Sequence, residues 1–180
     1  MGRGRTDTAG DCSKNGRRSR ILHYLMAIYL LDGLPGGEYA RFIKIARLLD
    51  VSPSTVSIMT RRLQMKGLVE LIPNVGVRLT EQGLKILSNY LWKSAILEVL
   101  LARAGVDIDN CRGMGLRMAE GLSDEDAWIL YKVLGEPKYC PHKKPIIPPD
   151  KINAENARQI ALCCGISILQ IPNNRLQPTS

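Results

Sequence analysis

Residues 51–70 read VSPSTVSIMTRRLQMKGLVE. The stretch predicts one helix with a marked start, two unlike faces and a marked end. Ser52 suits the N-cap, because its hydroxyl can accept from an orphan backbone N–H two or three residues on. Pro53 at the first helical position loses nothing, since that N–H has no intrahelical partner. Val56, Met59 and Leu63 recur at i, i+3, i+7 and make an apolar stripe. Ser54, Ser57, Ile58, Arg61 and Arg62 lie on the other side. Gly67 fits the left-handed position that closes a helix. A face with small hydroxyl residues at its start and arginines later suits a major-groove reader. Short side chains let the helix N-terminus approach base edges, and the arginines hold phosphates.

The flanking residues complete a motif. Tyr39 to Leu49 predicts a helix with Phe42, Ile45, Ala46 and Leu49 inward, and Asp50-Val51-Ser52 is a short turn into the helix just described. Two helices so joined, the second with a polar outer face, form a helix-turn-helix. Beyond Gly67, LVELIP, NVG and VRLT read as strand, turn and strand. Upstream, a helix from about Ser19 to Asp32 carries a stripe of Leu22, Leu25, Met26, Tyr29 and Leu30 before GLPGG breaks it. Helix, helix, recognition helix and two-stranded wing make a winged helix over residues 19–79. The tandem is far more specific than any of its parts, and it predicts double-stranded DNA as the partner.

The second half is helical. Thr80 can cap a long helix to about Ala104. A short helix follows from about Arg112 to Gly121, and a third starts at Ser123 with Asp124, Glu125 and Asp126 in its first turn, where carboxylates suit the helix dipole. The fold class is therefore mainly α: an N-terminal winged helix-turn-helix, then an all-helical domain over 80–147. A winged helix needs a second copy to read two half-sites, so the helical domain is assigned to homodimerisation on a palindromic operator.

Charge follows the same division. The net charge is +8. Residues 1–20 hold six Lys and Arg against two Asp and Glu, and residues 21–79 seven against four, whereas residues 80–135 hold six against eight. A basic N-terminal half fits a polyanion; the acidic middle does not. Residues 1–18, rich in Gly, Ser, Arg and Lys, read as a disordered basic arm, and residues 148–180 as a tail without an assigned role. The run GRRSRILHYLMAIYLL imitates a secretory signal, but it is short, amphipathic and lacks a small-residue cleavage site. MGRGRT matches the loose myristoylation pattern, which nothing else supports. No stretch is long enough to span a bilayer, so no membrane partner is expected. The five cysteines show no CxxC spacing, and reduced thiols in the cytoplasm are the default.

No phosphate-binding loop, dinucleotide glycine pattern or HExxH is present, and neither histidine stands beside a nucleophile, so an enzyme is not expected. The competing class is a less specific winged-helix protein that coats DNA or shapes it, with Arg78 in the wing and the basic arm on phosphates. Persistent sequence preference at raised salt separates an operator binder from that class.

Residues 20–147 resemble the diphtheria toxin repressor and manganese transport regulator family of metal-dependent repressors. The resemblance is carried by HYLMAIYLL, IARLLDVSPSTVS, RRLQMKGLVE, GVRLTEQG, AGVD, LSDE and LGEPKYCPHKKPI. It implies a homodimeric transcriptional repressor with Fe2+ or Mn2+ as cofactor. It also implies DNA contacts from Ser52, Ser54, Thr55, Ser57 and Arg62, to which Ile58, Arg61, Lys66 and Arg78 are added as candidates. Ile58 stands where related sequences carry a polar residue. The metal ligands depart further from the family's pattern. Leu116, Ala119 and Glu120 occupy the places of three ligands on one helix, and Ser94 the place of a histidine. Glu98 keeps a carboxylate ligand's place, and His23 falls where the first helix contributes one. The candidate set is therefore His23, Glu98 and Glu120, and metal sensing is expected to be lost or altered. Two alternatives stand open. The protein binds DNA without metal, with Leu116 and Ala119 as packing, or it draws on another set from His23, Glu120, Cys111, Met114 and the Cys140–His142 pair. In the family, Cys140-Pro141-His142 corresponds mainly to a structural turn, and that reading is preferred to a ligand pair.

Overall fold

The structure is a computed structural model that describes residues 12–152 and residue 156, with side chains from residue 20 onward. Six α-helices and one hairpin follow the order α1 (Cys12–Leu30), α2 (Phe42–Leu49), α3 (Pro53–Met65), β1 (Val69–Ile72), β2 (Gly76–Leu79), α4 (Glu81–Arg103), α5 (Ile108–Ala119) and α6 (Asp124–Val133). A 3-10 turn at Pro149–Lys151 ends the described main chain. Beyond residue 152, the expected tail lies outside the described residues except for residue 156. None of the described helices is long and apolar enough to cross a membrane.

Local chemistry sets the helix ends. Ser52 Oγ accepts from Thr55 N–H at 3.1 Å. Gly67 is left-handed at φ 70°, and Leu68 N–H reaches back to Leu63 C=O at 3.0 Å, the six-to-one bond of a Schellman close. Thr80 caps α4 through Gly83 N–H at 3.1 Å. Ser123 caps α6 through Asp126 N–H at 3.0 Å. The helix expected from Arg112 starts instead at Ile108, because Asp107 supplies a cap, its Oδ1 accepting from Asp109 N–H at 2.9 Å.

Two further boundaries differ from the sequence expectation. The first helix begins at Cys12 rather than Ser19, so residues 12–18 of the expected disordered arm continue α1. Lys, Arg and Ser tolerate a helix, and Gly16 costs only about 1 kcal/mol. Residues 1–11 of that arm lie outside the described residues. The second helix begins at Phe42 rather than Tyr39. Ala40 pairs with Val77, its N–H donating at 2.8 Å and its C=O accepting at 3.0 Å. The chain before α2 is thereby held extended along the wing.

The wing is an antiparallel pair with Glu70 opposite Arg78 and Ile72 opposite Gly76. Asn74 turns it at φ 63°, a conformation Asn tolerates better than most residues. α1 packs on α2, α3, β2 and α4. Residues Tyr24 to Tyr29 are consequently buried all round, not along a single stripe. Lys93 is buried on α4, donates to Leu122 C=O at 2.7 Å and pairs with Asp124, which holds the start of α6.

Wing and helical half meet closely at Gly83. A Cβ there would lie 2.0 Å from the Leu68 carbonyl oxygen, and backbone cannot swing aside as a side chain can. Gly83→Ala is expected to lower unfolding free energy by about 2 kcal/mol, the usual cost of overpacking. Urea denaturation checks this; an unchanged midpoint would mean that the contact yields freely.

Candidate nucleic-acid interface and candidate metal centre

α3 is laid down by its apolar side. Val56, Thr60 and Leu63 are buried, and Thr60 Oγ1 is satisfied by Val56 C=O at 2.9 Å. That orientation leaves Ser52, Ser54, Thr55, Ile58, Arg61, Arg62 and Lys66 exposed and Ser57 half-buried. The helix carries no acidic residue, so the exposed face is uniformly neutral or positive. Ser52 and Thr55 share a hydrogen bond between their hydroxyls at 2.8 Å, which fixes both at the mouth of the helix N-terminus.

Arg78 does not join that face. Its Nε donates to Glu70 Oε2 at 2.8 Å, its Nη2 lies 2.7 Å from the same oxygen, and its Nη1 donates to Gly37 C=O at 3.1 Å. The guanidinium also stands 4.6 Å over the Tyr39 ring, and Tyr39 Oη donates to Glu70 Oε1 at 2.7 Å. Arg78, expected as a phosphate contact, thus has its Nε, Nη1 and Nη2 engaged with Glu70 and Gly37. The wing tip, Ile72-Pro73-Asn74-Val75, has no cation of its own. Sequence could have exposed this network, because Glu70 and Arg78 are equidistant from the Asn74 turn and so fall opposite each other.

Hydrogen bonds from Tyr39 first and Arg78 second hold the Glu70 carboxyl below its ordinary 4.5. A depressed carboxylate stabilises above its unfolded value and loses that contribution as pH falls through the folded one. The wing is expected to loosen as pH drops below about 4.5, and Glu70→Gln should remove that part of the dependence. Amide exchange of residues 69–79 between pH 3 and 6 reads it directly; identical profiles for the two proteins would rule it out.

The donors that the structure brings together differ from the expected set. Among the described residues, the one group of three or more His, Cys, Asp or Glu donors that converges is Glu98, Cys140 and His142, whose ligand atoms lie within 4.8 Å of one another. His23 and Glu120 are half-buried and stand outside it. Glu98 is fully buried, Cys140 nearly so, and His142 Nδ1 is 3.1 Å from Glu98 Oε2. The Cys140 segment is indeed a tight turn, with Cys140 N–H donating to Lys144 C=O and Lys143 N–H to Cys140 C=O, each at 2.9 Å. That same turn folds over α4 and carries both side chains to Glu98. Turn and ligand pair are compatible readings of one segment. No sequence spacing links residue 98 to 140 and 142, so Glu98 and the Cys140–His142 pair fell into separate readings of the sequence.

The places the family resemblance assigns to other ligands are filled with packing. Leu116 is 1% exposed and Ala119 2%. Ser94 is buried, with its Oγ donating to Leu91 C=O at 2.9 Å, and Tyr90 Oη donates to Leu116 C=O at 3.1 Å. Gly115 lets α5 approach α4 so closely that a Cβ would sit 2.8 Å from Ser94 C=O. Burial, then the charges of Glu98 and Asp107, push the Cys111 thiol up. Its Sγ donates to Val106 C=O at 3.4 Å, so Cys111 remains a packed thiol. Met114 is half-buried and adds no titratable donor to the group.

Comparison with known proteins agrees with this geometry. Residues 19–77 match the family described as "Iron dependent repressor, N-terminal DNA binding domain". Residues 80–148 match "Iron dependent repressor, metal binding and dimerisation domain". An "Uncharacterized HTH-type transcriptional regulator" of Aeropyrum pernix is 97% identical over the full length of both chains. The diphtheria toxin repressor of Corynebacterium diphtheriae is 29% identical over 135 residues, covering 74% of this chain and 59% of that protein. The crystal structure of ScaR with bound Zn2+ superposes with a TM-score of 0.64 at 27% identity, covering 75% of this chain and 63% of that one. The chain belongs to the iron-dependent repressor family, of the diphtheria toxin repressor and manganese regulator type, and is a DNA-binding transcriptional regulator.

Proposed function

We propose that the protein is a homodimeric repressor that reads a palindromic operator with α3, and that its DNA-competent form is held by side-chain packing. The observation that carries the reading is the outward face of α3, where Ser54, Ile58, Arg61 and Arg62 are exposed on a helix without acidic residues. Ser52 and Thr55 meet phosphates at the helix N-terminus, where orphan N–H groups favour anions. Ser54, Ser57 and Ile58 approach base edges, and Arg61, Arg62 and Lys66 hold the backbone. Engagement of Arg78 within the wing disfavours indiscriminate coating, since the wing tip then has no cation to spread along DNA. Exposed Ile129 and Val133 on α6, one turn apart, support pairing of the helical halves in the homodimer.

The residues that would hold a divalent ion are Glu98, Cys140 and His142. O, S and N donors within 4.8 Å, two of them buried, suit a transition metal, and a thiolate favours Zn2+ or Fe2+ over Mn2+. The ion would supply a positive charge to the buried Glu98 carboxylate and tie the 138–146 turn to α4. Leu116 and Ala119 fill two of the family's ligand places as buried side chains, and Gly115 brings α5 against Ser94 of α4, which supports operator binding without metal.

Light scattering together with footprinting on DNA upstream of the gene tests this reading. A dimer protecting two patches one helical turn apart is expected. A monomer, or uniform protection along the duplex, would refute it.

A further inference from the structure

Ile58 stands at the middle of the outward face of α3. Opposite the buried Val56, Thr60 and Leu63 runs a stripe of Ser54, Ile58, Arg61 and Met65, spaced i, i+4, i+7 and i+11. Ile58 is 57% exposed and Met65 84%. A single exposed apolar side chain is ordinary on a protein surface, but this one lies between a serine and an arginine on a face without acidic groups. An isoleucine offers no donor or acceptor, so it cannot hydrogen-bond any base edge. Opposite a G·C pair it would leave the groove's polar groups without partners, at a cost. The apolar group that base edges present in the major groove is the thymine C5-methyl. A β-branched side chain is already stiff at χ1 and loses little freedom on contact, and Ser54 one turn earlier is small enough to let the helix approach.

We propose that Ile58 selects thymine at one position of each operator half-site by packing against its C5-methyl group. The proposal rests on α3 being the reading helix and names the base that its central residue recognises.

The full-length protein would first select binding sequences from a random duplex pool. The enriched duplex would then be resynthesised with each thymine in turn replaced by deoxyuridine, which lacks only the methyl. One position per half-site should lose affinity about fourfold, the effect of burying one methyl group. That loss should vanish in Ile58→Ala, while the variant keeps the thermal stability of the parent and still prefers the selected duplex to random competitor. If no thymine is sensitive, or if the sensitivity survives in Ile58→Ala, the proposal falls and the reading role of α3 stands. If selection enriches no sequence at all, both fall together.

Discussion

Replacing Arg61 and Arg62 together by alanine is expected to lower affinity about equally for operator and random DNA. Both side chains are exposed at the C-terminal part of α3, beyond the residues that approach base edges, and neither is needed for the core. A charge-assisted hydrogen bond to phosphate contributes about 1.5–3 kcal/mol, so each arginine is worth roughly tenfold, the pair about a hundredfold per protomer, and the four in a dimer about ten-thousandfold. Loss of two phosphate contacts in each protomer, four per dimer, should also reduce the dependence of log K on log salt by about four. The preference between operator and competitor should remain. Fluorescence anisotropy at several salt concentrations separates the effects. Unchanged affinity would remove both arginines from the interface, and a changed ranking of sequences would mean that they read bases rather than backbone.

The second large effect concerns the buried donors. Glu98→Gln keeps the shape of the side chain and removes its charge, and Cys140→Ala removes the thiolate donor. Partners that merely orient a ligand cost 10–100-fold in metal affinity when lost, so losing a ligand itself should cost at least about a hundredfold. Titration calorimetry with Zn2+ and then Mn2+ on the stripped protein reads this directly, with Zn2+ expected to bind more tightly. Saturating Zn2+ should also raise the melting temperature of the parent. At a hundred times its dissociation constant, a ligand adds about 2.7 kcal/mol, or roughly 5–10 °C for a chain of this size. Neither variant should show that rise. Parent-like Zn2+ affinity in both would place the ion elsewhere.

Much of this molecule was legible in the residue string because its helix ends are written locally. Ser52-Pro53 and Gly67, Thr80 and Ser123 mark starts and stops by hydrogen bonds spanning a few residues, and the structure makes the expected cap bonds. What escaped depends on contacts between distant segments. The α1 pattern suggested one buried stripe, whereas α2, α3, β2 and α4 all pack on this helix and Tyr24 to Tyr29 are all buried. Tyr39 and Ala40 read as helix because nothing nearby reveals that Val77 will pair with Ala40. Arg78 read as a free cation because its partner Glu70 becomes visible only when the hairpin register is worked through.

The candidate metal centre shows the same division more sharply. Comparing residues with the family's pattern pointed to Glu98 as a place that keeps a donor, and to Leu116 and Ala119 as packing, and both of these are buried. It could not see that the 138–146 turn folds back across forty residues of chain to face Glu98. The family's ligand places pointed to His23 and Glu120 instead, and neither belongs to the group of three donors that converges among the described residues. Folded helices bring side chains together by crossing geometry, and the Gly115 contact with Ser94 that sets this crossing has no signature beyond one small residue.

The most direct measurement is fluorescence anisotropy of the full-length, metal-stripped protein on the duplex upstream of its own gene, with random duplex as competitor, repeated after adding Mn2+ or Fe2+. Sequence-selective binding without metal, changing less than about fivefold when metal is added, is the expected result, because Leu116, Ala119 and Ser94 already close the α4–α5 contact; a fivefold change corresponds to about 1 kcal/mol. Selective binding that appears only after metal is added would contradict packing as what holds the DNA-competent form, and no selectivity in either state would contradict operator reading itself.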